Sequence, residues 1–189
     1  MGRRNIGVAI GLPEPFTSQL QASRLRLGDP NAASIPPHIT LLPPTALRPE
    51  TLPEVEAHLQ AVAVAAAPFV VHLRGSGTFR PLSPVVFVPL AEGTAQCERL
   101  EASVRSGPLR RELRFPYHPH VTVAHEVAEP LLDQAFDELA SYTARFEVWG
   151  FSLFEQGGDG VWRPQRDFPL GDTLPGPVQD PAVSGKDDE

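Results

Sequence analysis

The chain has 189 residues, 41 % of them hydrophobic and 21 % charged, which is the composition of a globular protein with one domain or two small lobes. Its apolar runs are too short to cross a bilayer, its N-terminus lacks a secretory-leader pattern and its single cysteine excludes an internal disulfide, so we expect a cytoplasmic protein without a membrane partner. The formal charge of −7 excludes a protein that coats long duplex nucleic acid, although a small anion can still bind a locally positive cleft.

Apolar patterns of strand and helix type alternate along the chain. Helices combined with hairpins favour an α+β fold with antiparallel sheets over a doubly wound parallel sheet. We expect strands 69–73 and 85–90 to form a hairpin with a long connection, and the last two strands to form a hairpin turned at 157–160. Pro43 and Pro44 are expected to end the second strand. In chain order the predicted elements are strand 5–12, helix 15–26, strand 38–42, helix 51–67, strands 69–73 and 85–90, helix 91–106, strand 121–127, helix 129–141, and strands 144–155 and 161–170.

The composition changes after the last predicted strand. Residues 1–170 hold all the predicted elements and are expected to form a single domain. Residues 171–189 contain five acids, one lysine and few apolar side chains, which predicts a disordered acidic tail. Neither of the common glycine-rich nucleotide-binding loops is present, and we expect no cofactor.

One short segment occurs twice in the sequence. Residues 37–41 (PHITL) match residues 119–123 (PHVTV), and both copies lie where a loop enters a predicted strand. Because side chains alternate along a strand, each histidine shares one face with the threonine two residues later, while the aliphatic residues face a core. Two lobes related by a pseudo-two-fold axis would present the two polar faces to each other across a central cleft.

Such a cleft would contain His38, Thr40, His120 and Thr122, with no metal required. Two opposed histidines can form an acid–base pair, because an imidazole with an ordinary pKa near 6.5 is accessible in both protonation states. One ring takes a proton from the attacking group and the other gives a proton to the leaving oxygen. The threonine hydroxyls can donate to phosphoryl oxygens. This chemistry predicts opening of phosphodiesters, above all strained cyclic ones.

The two His-x-Thr segments, together with "PPHITLLPP", resemble the two-histidine (2H) phosphoesterase superfamily, and in particular its bacterial branch of 2′-5′ RNA ligases and RNA 2′,3′-cyclic phosphodiesterases. The resemblance covers residues 5–170. It implies a bilobal α+β fold, with two antiparallel-sheet lobes and flanking helices related by pseudo-two-fold symmetry. It also implies that a 2′,3′-cyclic phosphate on an RNA 3′-end or small nucleotide opens to a 2′-phosphate, and that some members catalyse 2′-5′ ligation.

By the same resemblance, His38 is the proton donor, His120 is the proton acceptor, and Thr40 and Thr122 bind the phosphate. The opposite assignment of the two histidine roles stays open for hydrolysis, and in the reverse reaction the roles must exchange. One position departs from the family, because His125 stands where members often carry an arginine or lysine five residues after the second histidine. Its odd offset from His120 predicts that it points to the opposite face of a regular strand.

Other residues near the second segment are candidate substrate contacts. Tyr117 and Phe115 either stack on a nucleobase or pack beneath the loop. His118 lies two residues before His120, but the intervening proline and the lack of a third ligand argue against a metal site. Arg80, and the cluster of Arg110, Arg111 and Arg114, either hold phosphates of a longer substrate or are solvated surface side chains. Cys97 is expected to be a small buried residue.

The sequence is compatible with three functions. The first is a metal-independent phosphoesterase acting on cyclic phosphodiesters, and the second is an RNA ligase that uses the same residues in the opposite direction. The third is a binding module for nucleotides or RNA ends that has lost turnover. In each case the partner is a small nucleotide or RNA end, and nothing in the sequence requires more than a monomer.

Overall fold

The computed structural model describes residues 2–171 and confirms the predicted α+β class. The predicted disordered tail lies almost wholly outside the described residues. Short 3-10 turns precede the second helix and follow the third. The elements are β1 (Arg4–Gly11), α1 (Phe16–Leu27), β2 (His38–Leu47), α2 (Leu52–Ala65), β3 (Phe69–Arg74), β4 (Gly77–Thr78), β5 (Val85–Glu92), α3 (Thr94–Val104), β6 (His120–His125), α4 (Glu129–Leu139), β7 (Thr143–Val148), β8 (Gly150–Gln156) and β9 (Trp162–Pro169).

The strands pair in the order β7-β3-β5-β6-β2-β1-β8-β9, with β4 added on β5, and every pair is antiparallel. The order divides into two halves of four strands. These halves meet where β2 and β6 pair through Ile39 and Val121. The predicted pairing of β3 with β5 is confirmed.

The two halves repeat one local topology. The unit β1-α1-β2 corresponds to β5-α3-β6, and each unit ends on a strand that begins with His-x-Thr. The helices contact the opposite half, since α1 packs against β6 and α4 while α3 packs against β2 and α2. This exchange of contacts relates the two halves by a pseudo-two-fold axis near the β2–β6 junction.

A single hydrophobic core joins the sheet to the helices. Ile39 and Val121 are fully buried in it, as are the aliphatic residues two positions further along each strand. Cys97 is buried as expected, and burial raises the pKa of its thiol to about 12, so it remains protonated. Among the described residues, no helix combines the length and the apolarity needed to cross a membrane.

The second strand is longer than the sequence predicts. It continues through Pro43 and Pro44 to Leu47 and pairs again with β1 beyond them. The pairing register shifts between Leu42 and Thr45, so both prolines fall where the ladder is irregular and a missing N–H costs no strand pairing.

The predicted strand 144–155 is in fact two strands at opposite sides of the sheet. β7 pairs with β3, whereas β8 pairs with β1 and forms the predicted closing hairpin with β9. The chain changes sides at Trp149 and Gly150. A Cβ atom on Gly150 would lie 2.8 Å from the carbonyl oxygen of Phe168, so this crossing requires glycine.

We expect Gly150→Ala to lower the free energy of unfolding by about 1–3 kcal/mol, because the added methyl group overlaps a backbone atom that cannot easily move. Urea unfolding measures the change. Gly158→Ala in the β8–β9 turn is the matched control, since its Cβ would meet no atom within 4 Å, and it should stay within about 0.5 kcal/mol of wild type. Equal stabilities of the two variants would contradict the crossing constraint.

Candidate active site

The β2–β6 junction brings the two His-x-Thr segments side by side. Ile39 and Val121 are directly opposite in an antiparallel pair, so the register sets His38 across from Thr122 and His120 across from Thr40. Side-chain alternation turns these four polar residues to one face and the two aliphatic residues to the buried face. The sequence placed them on facing lobes, and the structure places them on adjacent strands.

Both imidazoles are held in the same way by the backbone before them. His38 Nδ1 donates to the carbonyl oxygen of Pro36 over 2.8 Å, and His120 Nδ1 donates to the carbonyl oxygen of His118 over 2.6 Å. A carbonyl can only accept, so Nδ1 carries the proton in both rings. In the neutral rings Nε2 is therefore left with a free lone pair, and it is the nitrogen that can exchange a proton with a substrate.

A bulge changes the orientation of His125. The pairing of β6 with β5 shifts by one residue between Thr122 and Ala124, and a matching shift occurs in β2 between Thr40 and Leu42. Both strands consequently bury two consecutive residues after the threonine. The expectation that an odd offset turns His125 away is therefore wrong, because the bulge returns it to the face of Thr122.

The surroundings of both histidines favour the neutral imidazole. Burial lowers the pKa of His38, and the positive charge of Arg24 lowers it further, against the hydrogen bond to Pro36. Burial also lowers the pKa of His120, to about 4, with smaller contributions from the charges of His118 and His38. At neutral pH both rings of the free protein therefore lack a second proton.

His120 lies in a cluster of aromatic rings. The ring centroids of Phe79 and Phe87 are each 5.0 Å from that of His120, and His118 completes the cluster at 5.9 Å. Two phenyl rings against the imidazole exclude water from it, which explains its low pKa. His118 is thus placed beside the histidine pair, and its carbonyl group orients His120.

A cavity of about 360 Å³ opens beside the junction. His38, Thr40 and Thr122 line it together with His125, whereas His120 is outside its lining and faces Thr40 from the neighbouring strand. The sequence did not indicate the other walls. These include Arg24, Asp29, Asn31, Phe154 and Trp162, which come from the first helix, the loop after it and the last two strands.

A buried ion pair shapes the loop that leads into His38. Arg24 Nε donates to Asp29 Oδ2 over 2.9 Å, and the two side chains are only 3 % and 1 % exposed. Arg24 Nη1 also donates to the carbonyl oxygen of Ile35 over 2.6 Å. The guanidinium thereby ties the end of α1 to both ends of the loop, immediately before the segment that orients His38.

Several predicted substrate contacts have other partners. The Tyr117 hydroxyl donates to the backbone carbonyl of Thr40 over 2.8 Å, which favours the packing alternative for this ring. Arg80 is paired with Glu129 and Asp133 on α4, at 2.8 Å from each. Phe115 is exposed beneath the guanidinium of Arg114. None of these three predicted contacts lines the cavity.

The arginine cluster also lies outside that cavity. Arg110 and Arg111 line a separate surface pocket with Arg105, and Arg111 Nη1 donates to Thr45 Oγ1 over 3.1 Å. Within residues 2–171, no three side chains of histidine, cysteine, aspartate or glutamate are grouped so that they could hold a metal ion.

A pseudo-two-fold α+β fold with one His-x-Thr strand in each half is the arrangement of a two-histidine phosphoesterase. The chain belongs to the 2′-5′ RNA ligase superfamily, whose sequence pattern matches residues 12–160. This membership confirms the resemblance noted in the sequence.

Curated relatives of similar sequence agree with this family assignment. A Halalkalibacterium halodurans protein named "Putative phosphoesterase BH1439" is 28 % identical over 169 residues, which cover 88 % of this chain and 98 % of that protein. A similarly named protein of Bacillus licheniformis is 29 % identical over 145 residues, covering 76 % and 85 %. The family and these relatives support an enzyme with phosphoesterase or 2′-5′ RNA ligase activity.

The fold is shared with crystal structures at lower identity. Apo LigT of E. coli superposes with a TM-score of 0.67 at 19 % identity, covering 91 % of this chain and all of LigT. The protein TT0787 of Thermus thermophilus superposes with a TM-score of 0.59 at 25 % identity, covering 89 % and 100 %. Both alignments extend over the two halves of the sheet.

We expect Asp29→Asn to lower the free energy of unfolding by about 3–5 kcal/mol, because it leaves the buried guanidinium of Arg24 without a counter-charge. Urea unfolding at pH 7 measures the loss. Glu138→Gln is the matched control, since it removes the same charge from an exposed pair with Arg26 and should cost no more than about 1 kcal/mol. A loss no larger than that of the control would show that the buried pair does not anchor the loop.

Proposed function

We propose that the protein is a metal-independent phosphoesterase that opens 2′,3′-cyclic phosphodiesters of RNA ends or nucleotides to 2′-phosphates. The observation that carries this proposal is the antiparallel register at Ile39 and Val121. It sets two imidazoles and two hydroxyls on one face, and these groups suffice for both proton transfers and for binding the phosphoryl oxygens.

The reaction requires one proton acceptor and one proton donor. His120 Nε2 takes a proton from water as the water oxygen attacks phosphorus. The bond from phosphorus to the 3′-oxygen breaks, and a proton from Nε2 of protonated His38 moves to that oxygen. The phosphate stays on the 2′-oxygen, and the pair is left with His120 protonated and His38 neutral. Burial lowers the pKa of His120 to about 4, so its ring is neutral in the free protein and Nε2 can accept a proton.

The negative charge of the substrate favours the protonated imidazole, which the free site disfavours. A cyclic phosphodiester carries one negative charge, which raises the pKa of an adjacent imidazole and stabilises its protonated form. Thr40 and Thr122 lie across from the two histidines, and their hydroxyls donate to the non-bridging oxygens as charge accumulates there. Each half thus contributes one proton-transfer group and one phosphate ligand.

Related structures support a nucleotide as the partner. E. coli LigT, which shares this fold, has been crystallised with 3′-AMP and with phosphate. The cavity beside His38 lies within the size range of small-ligand sites and combines hydroxyl, imidazole and aromatic walls. For 2′-5′ ligation the same histidines exchange roles, as microscopic reversibility requires, so both directions use one geometry.

We expect His38→Ala and His120→Ala each to lower kcat/KM for adenosine 2′,3′-cyclic phosphate by roughly 10²- to 10⁴-fold, the usual contribution of a positioned acid or base. Phosphorus NMR follows substrate loss and reports which oxygen keeps the phosphate. His72→Ala, on the distant strand β3, is the control and should match wild type. EDTA should leave the wild-type rate unchanged.

Each outcome decides between the candidate functions. Wild-type activity in either cleft variant would remove the histidine pair from the mechanism. A wild-type protein that binds 3′-AMP but opens no cyclic phosphodiester would be a binding module instead. A 3′-phosphate product would reverse the assignment of the leaving oxygen.

We also expect the maximum of kcat/KM to lie below pH 6.5. This parameter reports the free enzyme, in which burial lowers both histidine pKa values, so the reactive form with one proton on the pair is populated only at acidic pH. The maximum of kcat should lie at higher pH, because the bound anion raises these pKa values. Initial rates from pH 4 to 9 test this, and a kcat/KM maximum at pH 7 or above would contradict it.

A further inference from the structure

Part of the wall of the cavity beside His38 is aromatic. Trp162 and Phe154 line it together with Gly7 of β1. A Cβ atom on Gly7 would lie 3.4 Å from a ring carbon of Trp162, so the indole lies against the β1 backbone. Trp162 remains half-buried, and its ring forms part of the cavity wall. A large planar apolar surface is therefore available within the cavity that contains His38 and both threonines.

The backbone of Trp162 is anchored on both sides. Trp162 is the first residue of β9 and pairs with Gln156 of β8. Its N–H donates to the carbonyl oxygen of Ser34 over 2.8 Å, which ties the start of β9 to the loop that precedes His38. The backbone of Trp162 is thus fixed relative to the loop before His38, and the indole lies against Gly7, so stacking of a ligand costs little in ordering of the protein.

Polar groups line another part of the same cavity. The Asn31 amide nitrogen lies 3.4 Å from His125 Nδ1, and the bulge in β6 is what brings His125 to this face. In the described part of the chain, neither the Asn31 amide oxygen nor His125 Nε2 makes another hydrogen bond. These two atoms remain available to a sugar hydroxyl or the edge of a base.

We propose that Trp162 is the stacking platform for the nucleobase of the terminal nucleotide, with Asn31 and His125 as its polar contacts. This inference rests on the proposed function and narrows its substrate to cyclic phosphodiesters that carry a base. Stacking on an aromatic side chain accepts every base, which predicts weak base preference but strong dependence on having one. The sequence suggested Tyr117 and Phe115 as rings that stack on a base, but neither lines the cavity, whereas Trp162 does.

Tryptophan fluorescence tests the proposal without turnover. The chain has two tryptophans, and Trp149 is exposed at the β7–β8 crossing, so Trp149→Phe leaves Trp162 as the sole emitter. We expect 3′-AMP to quench this emission saturably and inorganic phosphate to leave it unchanged. An absence of quenching by 3′-AMP, or equal quenching by phosphate, would overturn the proposal.

Steady-state kinetics provide the second test. The substrates are adenosine 2′,3′-cyclic phosphate and the base-free 1-O-methylribose 2′,3′-cyclic phosphate. We expect Trp162→Leu to lower the ratio of their kcat/KM values by roughly 5- to 150-fold, the range for loss of one stacked base, mainly through KM. Trp162→Phe should restore part of this ratio, and Trp149→Leu should leave it unchanged. An unchanged ratio in Trp162→Leu would overturn the stacking role.

The two proposals fail in different ways. If the wild-type protein opens neither substrate while 3′-AMP still quenches Trp162 and phosphate does not, the hydrolytic function falls and the base subsite stands. If both substrates turn over with equal kcat/KM and 3′-AMP does not quench, the base subsite falls and the phosphoesterase stands.

Discussion

The pairing of β2 with β6 is the contact on which the rest of the structure depends. One antiparallel residue pair, Ile39 with Val121, joins the two halves of the sheet and closes the core between them. Because register determines which side chains share a face, this pair alone sets each histidine beside the threonine of the other copy. A slip of one residue would bury the polar groups and expose the aliphatic ones. The core therefore enforces the geometry of the candidate site.

Pseudo-symmetry extends from the strands to the chemistry of each ring. Both imidazoles donate from Nδ1 to the carbonyl oxygen two residues earlier, and a buried proline lies between in each case. The same backbone arrangement therefore leaves Nε2 of both rings free to exchange a proton. The environments then diverge, because His120 lies against two phenyl rings while His38 lines an open cavity next to Arg24. These unequal surroundings are consistent with the proposed mechanism, in which one histidine accepts a proton and the other donates one.

The bulges following the two threonines enlarge the site. Each adds one residue to the strand and reverses its alternation, so His125 returns to the cavity although a regular strand would turn it away. Pro43 occupies the corresponding place in β2 and also lines the cavity. The two halves are thus alike at the histidines and unlike five residues later. Beyond this point the site is asymmetric, which suits the proposed substrate, with a phosphate at one end and a base at the other.

The sequence by itself determined most of the elements and their order, the α+β class and the duplicated His-x-Thr strands, since these depend on local periodicity and on a repeat that is visible in one chain. Only the tertiary structure decided the split at Gly150, the bulge before His125 and the position of Trp162 beside His38. The reason is physical: a bulge and a strand crossing depend on which backbone lies alongside, and a cavity wall is assembled from segments distant in the chain. Periodicity reports which face of an element is buried, whereas the identity of the neighbour is set by packing.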